Sequence, residues 1–351
     1  MRNTRRIDVH HHIVTPQYIE ELAKVGVVEA GGLPLTPLAQ WTPEGSLAVM
    51  DRYEIDAALL SVSSPGVCFG HATKNRDMAR SLNEFAAQCV ARWPRRFGFF
   101  AVLPLPDVEA ALSEIGYALD QLSADGIGLL SNYAGIYLGD PRFDAVFAEL
   151  DRREAVIHLH PTVFTDSEIP SAKNAGSPIP TLPGSMLEFI FDTTRAVANL
   201  IFTATLTRYP HVRIILSHAG GTIPFVANRM VANSDIVTAF FKQVQAGQVA
   251  PPSPEMIEQL TRENREEAFR QLRGLYYDTA LSANAHVLRA LQFLVPPSQI
   301  LLGTDYPPVQ EVGTRSYLNK LATYPDWSPQ DRSAIESGNA LGLFPRLHAS
   351  A

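Results

Sequence analysis

"RRIDVHHHIV", residues 5–14, sets three consecutive histidines inside a short run of β-branched residues. Ile7, Val9, Ile13 and Val14 favour an extended backbone. Alternate side chains of a strand share a face, so Asp8, His10 and His12 are expected to point one way and Val9 and His11 the other. With a rise of about 3.3 Å per residue, imidazoles at i and i+2 stand about 7 Å apart, and one metal ion between them reaches both. A polar strand end without chemistry gives the same local pattern. The rest of the chain has to decide between the two.

Seven further apolar runs follow, at 57–64 (AALLSVSS), 97–104 (FGFFAVLP), 126–132 (GIGLLSN), 155–161 (AVIHLHP), 213–221 (RIILSHAGG), 274–280 (GLYYDTA) and 300–308 (ILLGTDYPP). Helical patterns lie between them. Met78, Leu82, Phe85 and Cys89 recur every three or four residues, as do Phe143, Val146, Phe147 and Leu150. Thr42-Pro43-Glu44 and Asp140-Pro141 read as helix starts, with a cap followed by proline at the first helical position. Eight such units predict an α/β fold of the (β/α)8 type, a TIM barrel, in one domain spanning 1–351. Two segments break the rhythm. Residues 162–186, rich in Pro, Ser and Gly after strand five, are expected to form a lid loop, and 222–273 a helical insertion after strand six.

Composition narrows the partners. The chain has 351 residues, 46% of them hydrophobic, and a formal charge of −7 without a long basic cluster, which argues against nucleic acid. No apolar run reaches membrane-spanning length. Cys68 and Cys89 show no metal or redox spacing, and MRNTRR leads into strand one without a signal-like apolar segment. A soluble, cytoplasmic protein is expected.

The strand ends collect reactive side chains: His10 and His12, Ser61 and Ser63, Asn132, His160, His218, Asp278, Asp305. In such barrels the strand C-termini form the catalytic face. His10, His12, His160 and Asp305 make a three-nitrogen, one-oxygen set on strands one, five and eight. Zinc is the default ion for it, with manganese, iron or nickel also acceptable. His218 on strand six is placed to act as general base. His158 lies a layer deeper and reads as core or support, and His11 as structural. His71, in the loop after strand two, reads as a solvated residue or a substrate contact, while His211, His286 and His348 read as incidental. Strand four carries no lysine to bridge two ions, so one divalent metal is expected. No nucleophile elbow or phosphate-binding loop occurs.

The ordered motifs IDVHHH, HLHPT, LSHAGG, GTDYPP and GNALGLF resemble the decarboxylase branch of the amidohydrolase superfamily, which includes aminocarboxymuconate-semialdehyde decarboxylase. LGDPRFDAVFAELDRR and FDTTRAVANLIF are most similar to 6-methylsalicylate decarboxylase-like proteins. The resemblance implies His10, His12, His160 and Asp305 as ligands, His218 and Asp305 as catalytic, and a homodimer or higher oligomer. It also implies Arg195 as a carboxylate anchor and Arg229 as a residue reaching a neighbouring subunit's pocket. Asn132 and His71 complete the expected contacts to a small carboxylic acid substrate. The semialdehyde decarboxylases carry arginines before their MD pair, where this chain has GSLAVMD (45–51), which argues against that dicarboxylate.

The implied activity is metal-dependent, non-oxidative decarboxylation of an ortho-hydroxybenzoate-like or enoic acid. The proton reaches the ring from Asp305, or from a metal-bound water served by His218. A hydrolase or hydratase acting on a lactone, amide or unsaturated acid is the alternative, and a barrel with a purely structural metal the third.

Overall fold

The apolar runs form eight parallel strands: β1 (Ile7–His12), β2 (Ala57–Ser61), β3 (Phe97–Val102), β4 (Gly126–Leu130), β5 (Val156–His160), β6 (Arg213–Leu216), β7 (Tyr276–Asp278) and β8 (Ile300–Leu301). The computed structural model describes residues 5–30, 33–68, 71–162, 183–230, 242–248 and 250–348. Each strand pairs with its sequence neighbour in the order β1 to β8. Backbone bonds then close the ring between its ends: Val9 N–H to Leu302 O (2.9 Å), Asp305 N–H to His10 O (2.8 Å) and His12 N–H to Tyr306 O (2.7 Å). The fold is a (β/α)8 barrel.

Strands buried on both faces explain the nearly continuous apolar runs. One face packs under the helices, through residues such as Ala58, Leu60, Phe99 and Ile127. The other fills the interior. Ile7, Val9, Leu59, Phe100 and Ile215 are buried with Leu343, Phe344 and Leu347 of the C-terminal segment, which plugs the end away from the histidines. A column of rings rises from that plug. Phe344 meets Phe100 edge-on at 5.7 Å, Phe100 stacks on His158 at 5.1 Å, and His158 meets His10 at 4.8 Å. The interior is therefore apolar at its base and imidazole-rich at its top.

The helix starts follow their sequence signals. The Thr42 hydroxyl accepts from Gly45 N–H ahead of α1 (Pro43–Arg52), a cap of about 1 kcal/mol. Asp140 accepts from Arg142 N–H ahead of the turn leading to α2 (Asp144–Arg152). Several strands are shorter than their apolar runs, because the chain bends where the reactive residues begin. The run 300–308 is strand only over Ile300–Leu301, and Asp305 adopts a left-handed φ of 60°. Gly303 lets this segment press against β1, since a Cβ there would lie 2.9 Å from His10 Cβ.

Most of the expected lid, residues 163–182, lies outside the described residues, as do 231–241 and 249 of the expected insertion. The described part of the latter holds two short turns, Ile223–Val226 and Ala227–Arg229, and the helix Pro254–Arg273.

Candidate active site and metal centre

His10, His12, His160 and Asp305 are all buried, and one donor atom from each lies within 4.8 Å of the others. His10 Nε2 is 3.0 Å from His12 Nε2, which is 3.0 Å from Asp305 Oδ1, and Asp305 Oδ1 is 3.4 Å from His10 Nε2. The Nδ1 edges point outward to separate acceptors: Asp278 Oδ2 for His10 (2.7 Å), Ser61 Oγ for His12 (3.1 Å) and the Pro161 carbonyl for His160 (2.7 Å). Register places Ser61 there, because it is the partner of His12 across β1 and β2. An imidazole that donates through Nδ1–H turns its Nε2 to a metal, and such outer acceptors are the usual companions of ligating histidines.

A proton shared between two nitrogens satisfies only two of the four inward atoms, whereas a metal satisfies all four. Donors about 2.0–2.1 Å from one ion stand about 2.9–3.4 Å apart between octahedral and tetrahedral angles, which matches the spacings among His10, His12 and Asp305. The donor set fits one divalent metal.

The electrostatics agree. Burial pushes the His12 and His160 imidazoles down, toward the neutral form that binds metals. Burial opposes charge on Asp305 as well, yet His10, His12 and His218 hold its carboxyl well below the usual carboxylate range. At His10 the carboxylates of Asp278 and Asp305 overcome burial and raise the imidazole to about 10, so the cluster draws positive charge to its centre.

His218 stands beside this cluster. Its Nε2 is 3.5 Å from Asp305 Oδ2, and neither ring nitrogen has a hydrogen-bond partner among the described residues. A buried imidazole left this way calls for an explanation, and a substrate or solvent molecule in the adjoining cavity would supply one. Four consecutive positive φ angles, from His218 to Gly221, turn the chain here. At Gly221 a Cβ would lie 2.1 Å from the Ile190 carbonyl oxygen. Gly221→Ala is therefore expected to destabilise the fold by about 1–3 kcal/mol, seen as a lower thermal midpoint. An unchanged midpoint would mean that this turn is not under steric control.

The centre lies at the floor of a cavity of about 670 Å³, lined by His160, His218 and Asp305 and by apolar side chains including Ile13, Val14, Phe189, Leu281 and Val309. Phe189 sits edge-on to His160 at 5.8 Å. Among the described residues, no arginine or lysine lines it.

Asn132, His71 and Arg195 are not among the residues lining the cavity, nor is Arg229, which is expected at a neighbouring subunit's pocket and not at this one. Asn132 is buried, but its amide is consumed by Thr162 O (3.2 Å), Asp192 Oδ2 (2.9 Å) and Gly135 N–H (3.0 Å). Beyond β4 the chain enters a small hairpin, Asn132–Tyr133 with Ile136–Tyr137, which draws Asn132 toward the helix α3 (Glu188–Phe202). Arg195 is exposed on α3, off the stripe formed by Phe189, Asp192, Ala196 and Leu200, and interacts with Tyr137. Arg229 is exposed at the end of the turn Ala227–Arg229, and His71 is exposed just before the helix Ala72–Arg92.

Asp8 departs from the expected alternation. A register irregularity between Asp8 and His11 turns its carboxylate to Thr304, which donates from both N–H (3.0 Å) and Oγ1–H (2.5 Å). His11 bridges Asp8 Oδ2 (3.1 Å) and Ser46 Oγ (2.9 Å). That order is the one found in nucleophilic triads, but Ser46 is 0% exposed and also accepts from the Trp41 indole (2.9 Å). It is a structural relay. His158 is a buried support, lowered to about 4 by burial, with its Nε2 3.4 Å from Asp278 Oδ2. Asp278 itself, to which the sequence assigns no role, lies beneath the metal cluster. A lone acid ending the apolar run YYD was its only signal.

The profile of the amidohydrolase family matches residues 7–346. The chain belongs to that family. A decarboxylase of Aspergillus niger, yanB, is 34% identical over 356 residues, covering 99% of this chain and 89% of its own. The 6-methylsalicylic acid decarboxylase of Penicillium expansum is 34% identical over 346 residues, covering 97% of each chain. Among solved amidohydrolase-fold structures, the 5-carboxyvanillate decarboxylase of Novosphingobium aromaticivorans, complexed with manganese and 4-hydroxy-3-methoxy-5-nitrobenzoic acid, superposes with a TM-score of 0.76. It is 21% identical and covers 98% of this chain and 96% of its own.

Proposed function

We propose that this amidohydrolase is a carboxy-lyase that removes CO2 from an aromatic acid of the ortho-hydroxybenzoate class, using one divalent metal. The observation that carries the reading is a three-imidazole, one-carboxylate cluster beside an unpartnered His218 on the floor of an apolar cavity. His10, His12, His160 and Asp305 would hold the ion, zinc or the manganese bound in the Novosphingobium relative. When bound there, the metal supplies a positive centre for the substrate's carboxylate and ortho-hydroxyl oxygens and draws electron density from the ring.

This chain's residues then have two tasks. The apolar wall takes the ring and keeps water from it while charge develops. His218 manages the proton, since Asp305 is ionised and has none of its own to give. A proton delivered to the carboxyl-bearing ring carbon forms a C–H bond. The bond to the carboxylate then breaks, its electron pair returns to the ring, and CO2 leaves.

The reading keeps a homo-oligomer, with exposed Arg229 available to a second copy. It also keeps the cytoplasm expected of a chain whose two cysteines, Cys68 and Cys89, show no metal or redox spacing. No helix among the described residues is long and apolar enough to cross a membrane. Incubated with a panel of ortho-hydroxybenzoates, the protein is expected to release one CO2 per acid consumed. The release should stop on chelation and return with zinc or manganese. Turnover of lactones or amides without CO2 would overturn the reading in favour of a hydrolase.

A further inference from the structure

We infer that Asp278 is a positioning residue that locks the metal ligand His10 and the acid–base residue His218 into one unit. Its carboxylate ends β7 at 0% exposure. Oδ2 accepts from His10 Nδ1–H at 2.7 Å, while Oδ1 accepts from the backbone N–H of His218 at 2.9 Å and of Ala280 at 3.0 Å. One side chain thus holds a ligand on β1 with one oxygen and the turn after β6 with the other.

The pattern demands a carboxylate. Both oxygens act as acceptors, and no neutral side chain of this shape offers two. An asparagine must present its NH2 to one side or the other. Turned to His10, the amide needs an acceptor at Nδ1, so the imidazole proton moves to Nε2. That atom faces His12 Nε2 at 3.0 Å and Asp305 Oδ1 at 3.4 Å, and a proton there occupies the lone pair meant for the metal. Turned to the turn, the amide sets its hydrogens against two backbone N–H groups and releases His218 from its left-handed φ of 55°.

His10 is the ligand where this matters most. Its ring lies 4.8 Å from both His12 and His158, 5.2 Å from His160 and 5.1 Å from His218, so it touches every other imidazole of the cluster. Among the described residues, its acceptor is also the only carboxylate of those serving the three ligand histidines. His12 and His160 rely on the Ser61 hydroxyl and the Pro161 carbonyl. A charged acceptor makes the stronger bond and raises the basicity of the ligating nitrogen.

The inference rests on the ligand assignment and not on the reaction, and its test uses metal binding. Zinc titrated into metal-free Asp278→Asn is expected to bind about 10- to 100-fold more weakly than into the wild type, with circular dichroism and thermal midpoint showing a folded chain. A folded Asp278→Asn that binds zinc as tightly as wild type overturns the inference. Should the variant fail to fold, zinc-loaded wild type labelled with 15N-histidine decides. Three liganded imidazoles protonated at Nδ1, one with its proton shifted far downfield by a short bond to a carboxylate, are expected. A ligand bound through Nδ1, or no such downfield proton, overturns it. Intact zinc binding without CO2 release would count against the decarboxylase reading alone.

Discussion

Replacing His12 or Asp305 by alanine is expected to strip the protein of most of its metal and to lower turnover by at least about a thousandfold. The two residues fail for different reasons. His12 Nε2 lies 3.0 Å from both His10 Nε2 and Asp305 Oδ1, so its loss removes a donor packed closely against two of the others. Asp305 is the only charged donor of the four. Without it, a divalent ion would sit among three neutral imidazoles, with Asp278 only beneath them. A bound metal contributes several kcal/mol to stabilising a charged transition state, and about 1.36 kcal/mol corresponds to a factor of ten. Elemental analysis of the purified variants checks the first half of the expectation and steady-state rates the second. Full metal in both variants would remove these residues from the ligand set.

The parts of this centre legible in the sequence are those set by strand periodicity. H-x-H on β1, a histidine ending β5 and an aspartate just beyond β8 need only the period of two and the convergence of strand ends in a closed barrel. The structure brings those four side chains together. What stayed hidden depends on tertiary contacts. Asn132 ends an apolar run as the candidate ligands do, but its amide is saturated by Thr162, Asp192 and Gly135, and no spacing rule reveals that. Arg195 is implied as a carboxylate anchor by resemblance alone, and the phase of α3 carries it off the buried stripe. Asp8 has the right parity to join His10 and His12, and an irregular register turns it away. Asp278 was visible as an acid at a strand end. Its two-sided role depends on the lateral approach of β1 and β6, which strand order alone does not specify.

His218→Asn is expected to retain one metal per chain and a folded barrel while losing turnover by about a hundredfold or more, the usual scale for removal of an acid–base group. Asparagine is chosen for the backbone. Position 218 has a φ of 55°, and asparagine tolerates the left-handed region better than most residues, so the turn from 218 to 221 survives the exchange. The Asp278 anchor survives too, because it binds the main-chain N–H at 2.9 Å and not the ring. Metal retention follows from geometry, since His218 lies outside the four-donor group and its Nε2 stands 3.5 Å from the outer oxygen of Asp305. What disappears is the imidazole beside the donor cluster, the acid–base group of the proposed reaction. Asparagine is shorter and does not titrate, so it replaces neither the reach nor the chemistry. Metal content and rate measured on the same preparation separate the possibilities. Loss of metal together with activity would make His218 part of the cage, and a near-normal rate with full metal would reduce it to scaffold and move the proton transfer elsewhere.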